Sequence, residues 1–210
     1  MVLSVLYGLG GAGFFKSAAA AAPSRPWAEG KALVVYFSMP ETGKPGYMTR
    51  EEDNSTVVIG GKVLGNTQYV AELIRQNTGA DIFRIEPATA YPTDHAALVD
   101  LAKREQSGNV RPKLKANVKN LDRYDVVFVG YPNWWGDMPM ILYSFLENAD
   151  LSGKRVIPFV THGGSGFSGT VETIAKLQPR AAVDRNGISI SRNDVQDCAP
   201  DVSEWLKNLK

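Results

Sequence analysis

Gly65-Asn66-Thr67-Gln68-Tyr69-Val70 is the stretch that decides the fold, because an amphipathic helix begins there. The nearest upstream strand, residues 31–37, is a continuous apolar run that ends at Ser38. Where a strand feeds a helix N-terminus through small hydroxyl and amide residues, free backbone N–H groups and the positive end of the helix dipole face the same point. The sequence therefore predicts an anion site beside Ser38 and the first helical residues, which are Asn66, Thr67 and Gln68.

Strand-like apolar runs alternate with helical patterns along the rest of the chain. The predicted strands are residues 31–37, 81–86, 125–130, 155–160 and 187–190. The predicted helices are residues 67–77, 93–105, 138–148, 169–177 and 194–209. This alternation favours an α/β fold, a three-layer sandwich with helices on both faces of a five-stranded parallel sheet. Ligands bind such sheets at the carboxyl ends of the strands, so the loops after the strands are the candidate sites.

The loop after the third predicted strand carries two adjacent tryptophans, Trp134 and Trp135. Neighbouring residues cannot both point into the same core, so one indole is expected to pack under the loop. A Trp-Gly pair at the end of a strand suits a flat ring that lies against an indole and the backbone. We predict Trp135 as the ring contact, with the other loop residues Pro132, Asn133, Trp134 and Gly136 beside it.

The loop after the fourth predicted strand, residues 161–167, is rich in glycine. Glycines let the backbone approach a ligand closely, and the threonine hydroxyl offers a hydrogen bond. A hydrolase would use the His-Gly-Gly stretch as an oxyanion loop, but Phe167 occupies the last position of the G-x-S-x-G motif, where glycine is required. The predicted ligand contacts of this loop are Thr161, His162, Gly163, Gly164 and Phe167.

Composition excludes several classes of protein. The 23 Lys and Arg residues balance 22 Asp and Glu residues, so the net charge of +1 does not favour nucleic acid as a partner. The single cysteine, Cys198, excludes an internal disulfide and a thiolate cluster. With only two histidines besides, the composition predicts no metal site.

Residues 1–28 resemble the apolar and cleavage regions of an export signal, although no positive residue precedes the apolar stretch. The alternatives are export to the periplasm or a loosely packed tail on a cytoplasmic protein. The stretch is too short and too glycine-rich to span a bilayer, so no stable membrane insertion is expected. Gly8–Gly13 fits the dinucleotide fingerprint G-x-G-x-x-G, but no acidic residue closes the next strand. The folded domain is predicted to occupy residues 29–210.

Residues 39–64 form an unusually long connection that is rich in Gly, Thr and charged residues. Two short β-branched runs flank Gly60 and Gly61, a pair that suits a two-residue turn, so the segment is a candidate hairpin. It is interpreted either as a solvated insertion without a role or as a lid or partner-docking element.

Taken together, the three loops resemble those of the flavodoxin-like family, whose members bind FMN and have the parallel strand order 2-1-3-4-5. Ser38 with Gly65-Asn66-Thr67 is similar to the family's phosphate loop, here divided by residues 39–64. Trp135-Gly136-Asp137 resembles the first ring loop, and residues 161–167 resemble the second. The resemblance implies FMN held without a covalent bond, with Gly136 at the position where the family lets a peptide carbonyl turn toward the ring.

Two functions follow from this resemblance. One is an electron carrier between redox partner proteins; the other is an NAD(P)H-dependent reductase of a small quinone-like acceptor. Pro132-x-x-Trp135 followed by Pro139 resembles a stretch of flavin quinone reductases. Carrier flavodoxins are typically acidic, whereas this chain has a sequence pI of about 7.8. A flavin-fold binding module without catalysis is the third alternative.

Overall fold

The computed structural model describes residues 31–209 together with Trp27. Of the export-like segment, residues 1–28, the structure describes Trp27, whose ring centroid lies 6.0 Å from that of Phe128 in the core. The glycine fingerprint of residues 8–13 lies outside the described residues. In chain order, the strands are β1 (Ala32–Tyr36), β2 (Thr56–Ile59), β3 (Lys62–Gly65), β4 (Asp81–Arg84), β5 (Val126–Pro132), β6 (Arg155–His162), β7 (Ala182–Val183) and β8 (Ile188–Ser191). The α-helices are α1 (Arg50–Ser55), α2 (Asn66–Thr78), α3 (His95–Ser107), α4 (Met140–Asn148), α5 (Thr170–Leu177) and α6 (Ala199–Asn208).

The main sheet is parallel throughout and has the order β4-β1-β5-β6, with β7 and β8 both pairing with β6. This confirms the predicted α/β fold and the strand order 2-1-3-4-5. The difference is at the outer edge, where two short strands stand in place of one. The chain leaves the ladder between them and returns at Gly187, where a side chain would overlap the Pro158 carbonyl of β6.

Helices cover both faces of the sheet. Val34 and Tyr36 of β1 share a hydrophobic core with residues of α2 and α6. Leu33 and Val35, which alternate with them, face the core formed by α3, α4 and α5. A strand covered on both sides loses the alternation of apolar and polar residues, which explains why β1 and β5 are continuously apolar in the sequence. None of the described helices combines the length and apolar character needed to cross a membrane.

The segment 39–64 lies outside the main sheet and forms a helix followed by a hairpin. β2 and β3 pair antiparallel, which confirms the predicted hairpin, and Gly60 and Gly61 have φ angles of +56° and +77°. Helix α1 was not predicted from the sequence. Its signal is the capping box of Thr49 and Glu52, in which each side chain accepts a hydrogen bond from the other residue's backbone N–H.

Candidate functional site

A cavity of about 450 Å³ opens at the carboxyl edge of the sheet. The loops after β1, β5 and β6, the start of α2 and one side of α3 form its wall. Among the predicted site residues, those that line it are Ser38, Asn66, Thr67, Pro132, Asn133, Trp134, Trp135, Thr161, His162 and Gly163. The structure thus brings residues of all three predicted loops around one space.

One end of the cavity is polar and almost fully buried. The Thr67 and Thr161 hydroxyls lie 2.7 Å apart and share a hydrogen bond. The Asn66 amide nitrogen donates to the Asn54 carbonyl at 2.9 Å. The Asn66 Oδ1 atom is buried and accepts no hydrogen bond from any described residue. A buried acceptor without a donor is costly, so this end is suited to a ligand that supplies one.

Ser38 and Gly65 lie against each other although residues 39–64 separate them in sequence. A Cβ at position 65 would overlap the Ser38 hydroxyl, so glycine allows this approach. Helix α2 begins directly after Gly65 and has no side-chain cap and no acidic residue in its first turn. The N–H groups of that turn therefore remain available to an anion.

The two tryptophans of the loop after β5 have different surroundings. Trp134 is half-buried, and its ring centroid lies 5.6 Å from that of Phe37 and 6.2 Å from that of Tyr91. Trp135 is 52% exposed, with the Lys103 ammonium 5.2 Å from its ring centroid. Trp134 therefore anchors the loop from beneath, while Trp135 stands at the rim of the cavity.

His162, at the end of β6, has a defined orientation. Its Nδ1 accepts a hydrogen bond from the Gly164 backbone N–H at 2.9 Å. The neutral ring must then carry its proton on Nε2. Burial lowers the pKa of His162, and Asp194 partly opposes this effect. The ring is therefore held predominantly neutral at pH 7.

Part of the cavity wall was not among the predicted site residues. Helix α3 contributes His95, Leu98, Val99 and Ala102, whose spacings of three and four place them on one side of the helix. Other contributions come from the 39–64 segment and the turn after β8; these residues are Met39, Glu41, Glu51, Asn54, Ser55 and Arg192. The helical spacing was visible in the sequence, but it did not distinguish a cavity wall from a core-facing stripe.

His95 and Glu41 join two of these elements. The His95 Nδ1 lies 3.0 Å from the Glu41 Oε2, and the Glu41 backbone N–H donates to the Ser55 hydroxyl at 3.0 Å. The pair fixes the start of the 39–64 segment against helix α3.

Four predicted site residues do not line the cavity. The Gln68 side chain turns along α2 and donates to Glu72 at 3.0 Å. Phe167 packs against the core beneath α5, with its ring end beside Gly187. Gly136 and Gly164 lie in the loop backbones, with φ angles of +75° and +132°.

Within residues 31–209, no group of three or more His, Cys, Asp or Glu side chains could hold a metal ion.

Comparison with known proteins agrees with this geometry. The family model described as flavodoxin matches residues 57–209. A candidate flavoprotein of Bacteroides uniformis is 26% identical, covers 85% of this chain and 99% of its own, and has a TM-score of 0.65. One of Bacteroides eggerthii is 28% identical, with 85% and 97% coverage and a TM-score of 0.63.

A more distant structure shares the fold. The flavoprotein of Lactobacillus acidophilus in complex with FMN is 18% identical, covers 79% of this chain and 96% of its own, and has a TM-score of 0.55. No curated protein matches the chain.

Proposed function

This chain belongs to the flavodoxin family, and we propose that it binds FMN without a covalent bond and carries electrons between redox partner proteins. The observation that carries the proposal is the cavity itself, which is polar and buried at one end and aromatic at the other. A phosphorylated, hydroxylated chain attached to a flat ring has the same distribution of chemistry.

The polar end suits the phosphate and the sugar-like chain. The phosphate would be held by the N–H groups of the first turn of α2 and by the hydroxyls of Ser38 and Thr67. The buried Asn66 Oδ1, which has no donor among the described residues, would accept a hydrogen bond from a hydroxyl of the chain. The cavity volume also lies within the range of ordinary cofactor sites, about 300–1,000 Å³.

The other end suits the flat ring. Trp135 stands on its wall, and Asn133 lies between the two loops. The Asn133 side chain donates to the Gly166 carbonyl at 2.9 Å and accepts from the Gly136 N–H at 3.1 Å. These bonds hold the two ring loops together, so both would be in position before the cofactor arrives.

Bound FMN would supply the redox chemistry, as the acceptor and donor of electrons. The part of the chain is to hold the ring and leave its edge accessible. Trp135 is exposed at the rim of the cavity, so a partner protein could approach the flavin ring on that side. This exposure supports carriage of electrons to and from other proteins.

The cofactor is tested directly by purifying the protein and recording its absorbance. We expect a yellow protein from which acid releases FMN, identified by chromatography against FAD and riboflavin standards. A colourless protein that FMN fails to reconstitute would contradict the proposal.

A reductase is the second candidate, favoured by the wall that α3 adds beside the ring loops. Leu98, Val99 and Ala102 form an apolar surface that a small flat quinone could contact. Mixing the FMN-loaded protein with NADH or NADPH in the absence of oxygen separates the two functions. Rapid bleaching of the flavin absorbance favours the reductase, and the absence of bleaching favours a carrier that another enzyme reduces.

A further inference from the structure

Arg192 is a charged residue of the cavity that neither the sequence motifs nor the proposed contacts use. It follows β8 directly, and its backbone N–H donates to the His162 carbonyl at 2.8 Å. This bond continues the pairing of His162 with Ser191 and fixes the Arg192 backbone at the carboxyl edge of the sheet. Among the described residues that line the cavity, Arg192 is the only lysine or arginine.

The Arg192 guanidinium lies over the backbone of Gly163. A Cβ placed on Gly163 would be 3.1 Å from the guanidinium carbon and 3.1 Å from one terminal nitrogen. The absence of a side chain at position 163 therefore leaves room for the guanidinium at the cavity wall. Arg192 also borders a second groove, next to the cavity, that is lined by Asn54 and Asn193. The Asn54 carbonyl accepts a hydrogen bond from the Asn66 side chain. That places Arg192 toward the polar end of the cavity.

No described residue pairs with the Arg192 guanidinium by a hydrogen bond or an ion pair. Asp53 borders the same second groove but forms no ion pair with the Arg192 guanidinium. Of the two carboxylates that line the cavity, Glu41 is bonded to His95 and Glu51 lies on α1. All five donors of a guanidinium are thus available to a ligand.

Charge balance in the cavity calls for such a cation. A phosphate monoester carries a charge of about −1.5 to −2 at pH 7, whereas a helix N-terminus supplies the equivalent of only about +0.5. Glu41 and Glu51 on the wall oppose an anion further. A full positive charge from Arg192, with its planar set of donors, would offset this repulsion.

We propose that Arg192 binds the terminal phosphate of the flavin nucleotide and thereby selects FMN over riboflavin. This inference rests on the proposed function. It assigns to one residue after the last strand a role that the phosphate loop and the helix dipole would otherwise fill alone. Gly163 takes part by leaving the space that the guanidinium occupies.

The test compares the affinities of the apoprotein for FMN and riboflavin, measured by the quenching of flavin fluorescence. Arg192→Gln should weaken FMN binding about tenfold, the order expected for one charge-assisted contact, and change riboflavin binding less than about twofold. Arg192→Lys should lose less FMN affinity than Arg192→Gln, because it keeps the charge and loses only the planar donor set.

Arg180→Gln is the matched control, because it removes the same charge from an exposed residue before β7, at the opposite end of the sheet. It should leave both affinities unchanged. Gly163→Ala is a second variant that leaves Arg192 intact but crowds its guanidinium, and it should also lower FMN affinity more than riboflavin affinity.

The outcomes separate two failures. If Arg192→Gln weakens both flavins equally, or neither, Arg192 does not bind the phosphate although the flavin site stands. If the wild-type protein binds neither flavin, the proposed function itself is wrong.

Discussion

The hydroxyls of Thr67 and Thr161 lie 2.7 Å apart, across 94 positions of sequence. Thr67 is in the first turn of α2, and Thr161 is near the end of β6, where the glycine-rich loop begins. Both side chains are almost fully buried, with 1% and 3% exposure. The bond therefore ties the start of α2, where the phosphate is expected, to the loop that is expected to hold the ring.

Replacing one of these threonines should cost more stability than replacing both. Thr67→Val leaves the Thr161 hydroxyl buried without its partner, which should lower the free energy of unfolding by about 1–3 kcal/mol. In the double variant Thr67→Val/Thr161→Val neither hydroxyl remains, so its stability should be closer to that of the wild type. Urea unfolding of the apoproteins of Thr67→Val, Thr161→Val, the double variant and the wild type measures this. Additive losses would mean that the hydroxyl pair contributes nothing as a unit.

The two tryptophans should separate stability from binding. Trp134→Ala should lower the free energy of unfolding by about 2–3 kcal/mol, because its indole packs on Phe37 and Tyr91. Trp135→Ala should change stability by less than about 0.5 kcal/mol, because its indole is half-exposed. Its FMN binding should weaken by about 0.5–1.5 kcal/mol. Urea unfolding and FMN titration of both variants provide the comparison. If Trp134→Ala binds FMN more weakly than Trp135→Ala does, Trp134 is the ring contact.

Gly136 should be intolerant of β-branched residues. Trp134 and Asp137 exchange two backbone hydrogen bonds, at 2.8 and 3.0 Å, across a turn in which Gly136 has a φ of +75°. Gly136→Val should cost about 1–2 kcal/mol of stability from the left-handed backbone, whereas Gly136→Asn should cost less. FMN affinity should change little.

The same pair of variants tests the redox role of the turn. If the 136 peptide must turn toward the ring, Gly136→Val should shift the one-electron reduction potentials of the FMN-loaded protein more than Gly136→Asn does. Equal one-electron reduction potentials in the two variants and the wild type would show that the 136 peptide has no such redox role.

The Glu105 carboxylate should give the stability a specific pH dependence. Burial raises the pKa of Glu105, and the hydrogen bond from the Tyr91 hydroxyl, at 2.9 Å, opposes this effect. The folded protein therefore binds this proton more tightly than the unfolded chain. The resulting stabilisation is present below the unfolded pKa of about 4.3 and is lost as the pH rises through the folded value.

Glu105→Gln, which cannot titrate, should therefore gain stability relative to the wild type as the pH rises from about 4 to 7. Urea unfolding across that range measures the difference. Glu204→Gln, an exposed carboxylate on α6, is the control and should show no such trend. A constant difference between Glu105→Gln and the wild type would show that Glu105 has the same pKa in both states.

Much of the fold could be predicted because burial on both faces leaves a direct mark on a strand. The continuous apolar runs of β1 and β5 indicated covered parallel strands, and the helical patterns between them indicated the layers. Helix ends were predicted less well. Residues 194–209 were expected to be one helix, but a short 3-10 turn, Val195–Asp197, precedes α6, which starts at Ala199 with Pro200 in its first turn.

The sequence by itself determined the succession of strands and helices along the chain, the loops that follow the strands and the chemical character of each loop. Only the tertiary structure decided which residues meet there: Thr67 with Thr161, His95 with Glu41, and Arg192 over Gly163. The physical reason is that periodicity and capping report interactions between neighbours in sequence. The contacts that shape the cavity depend instead on how distant elements pack, and a side chain carries no local mark of the partner it finds.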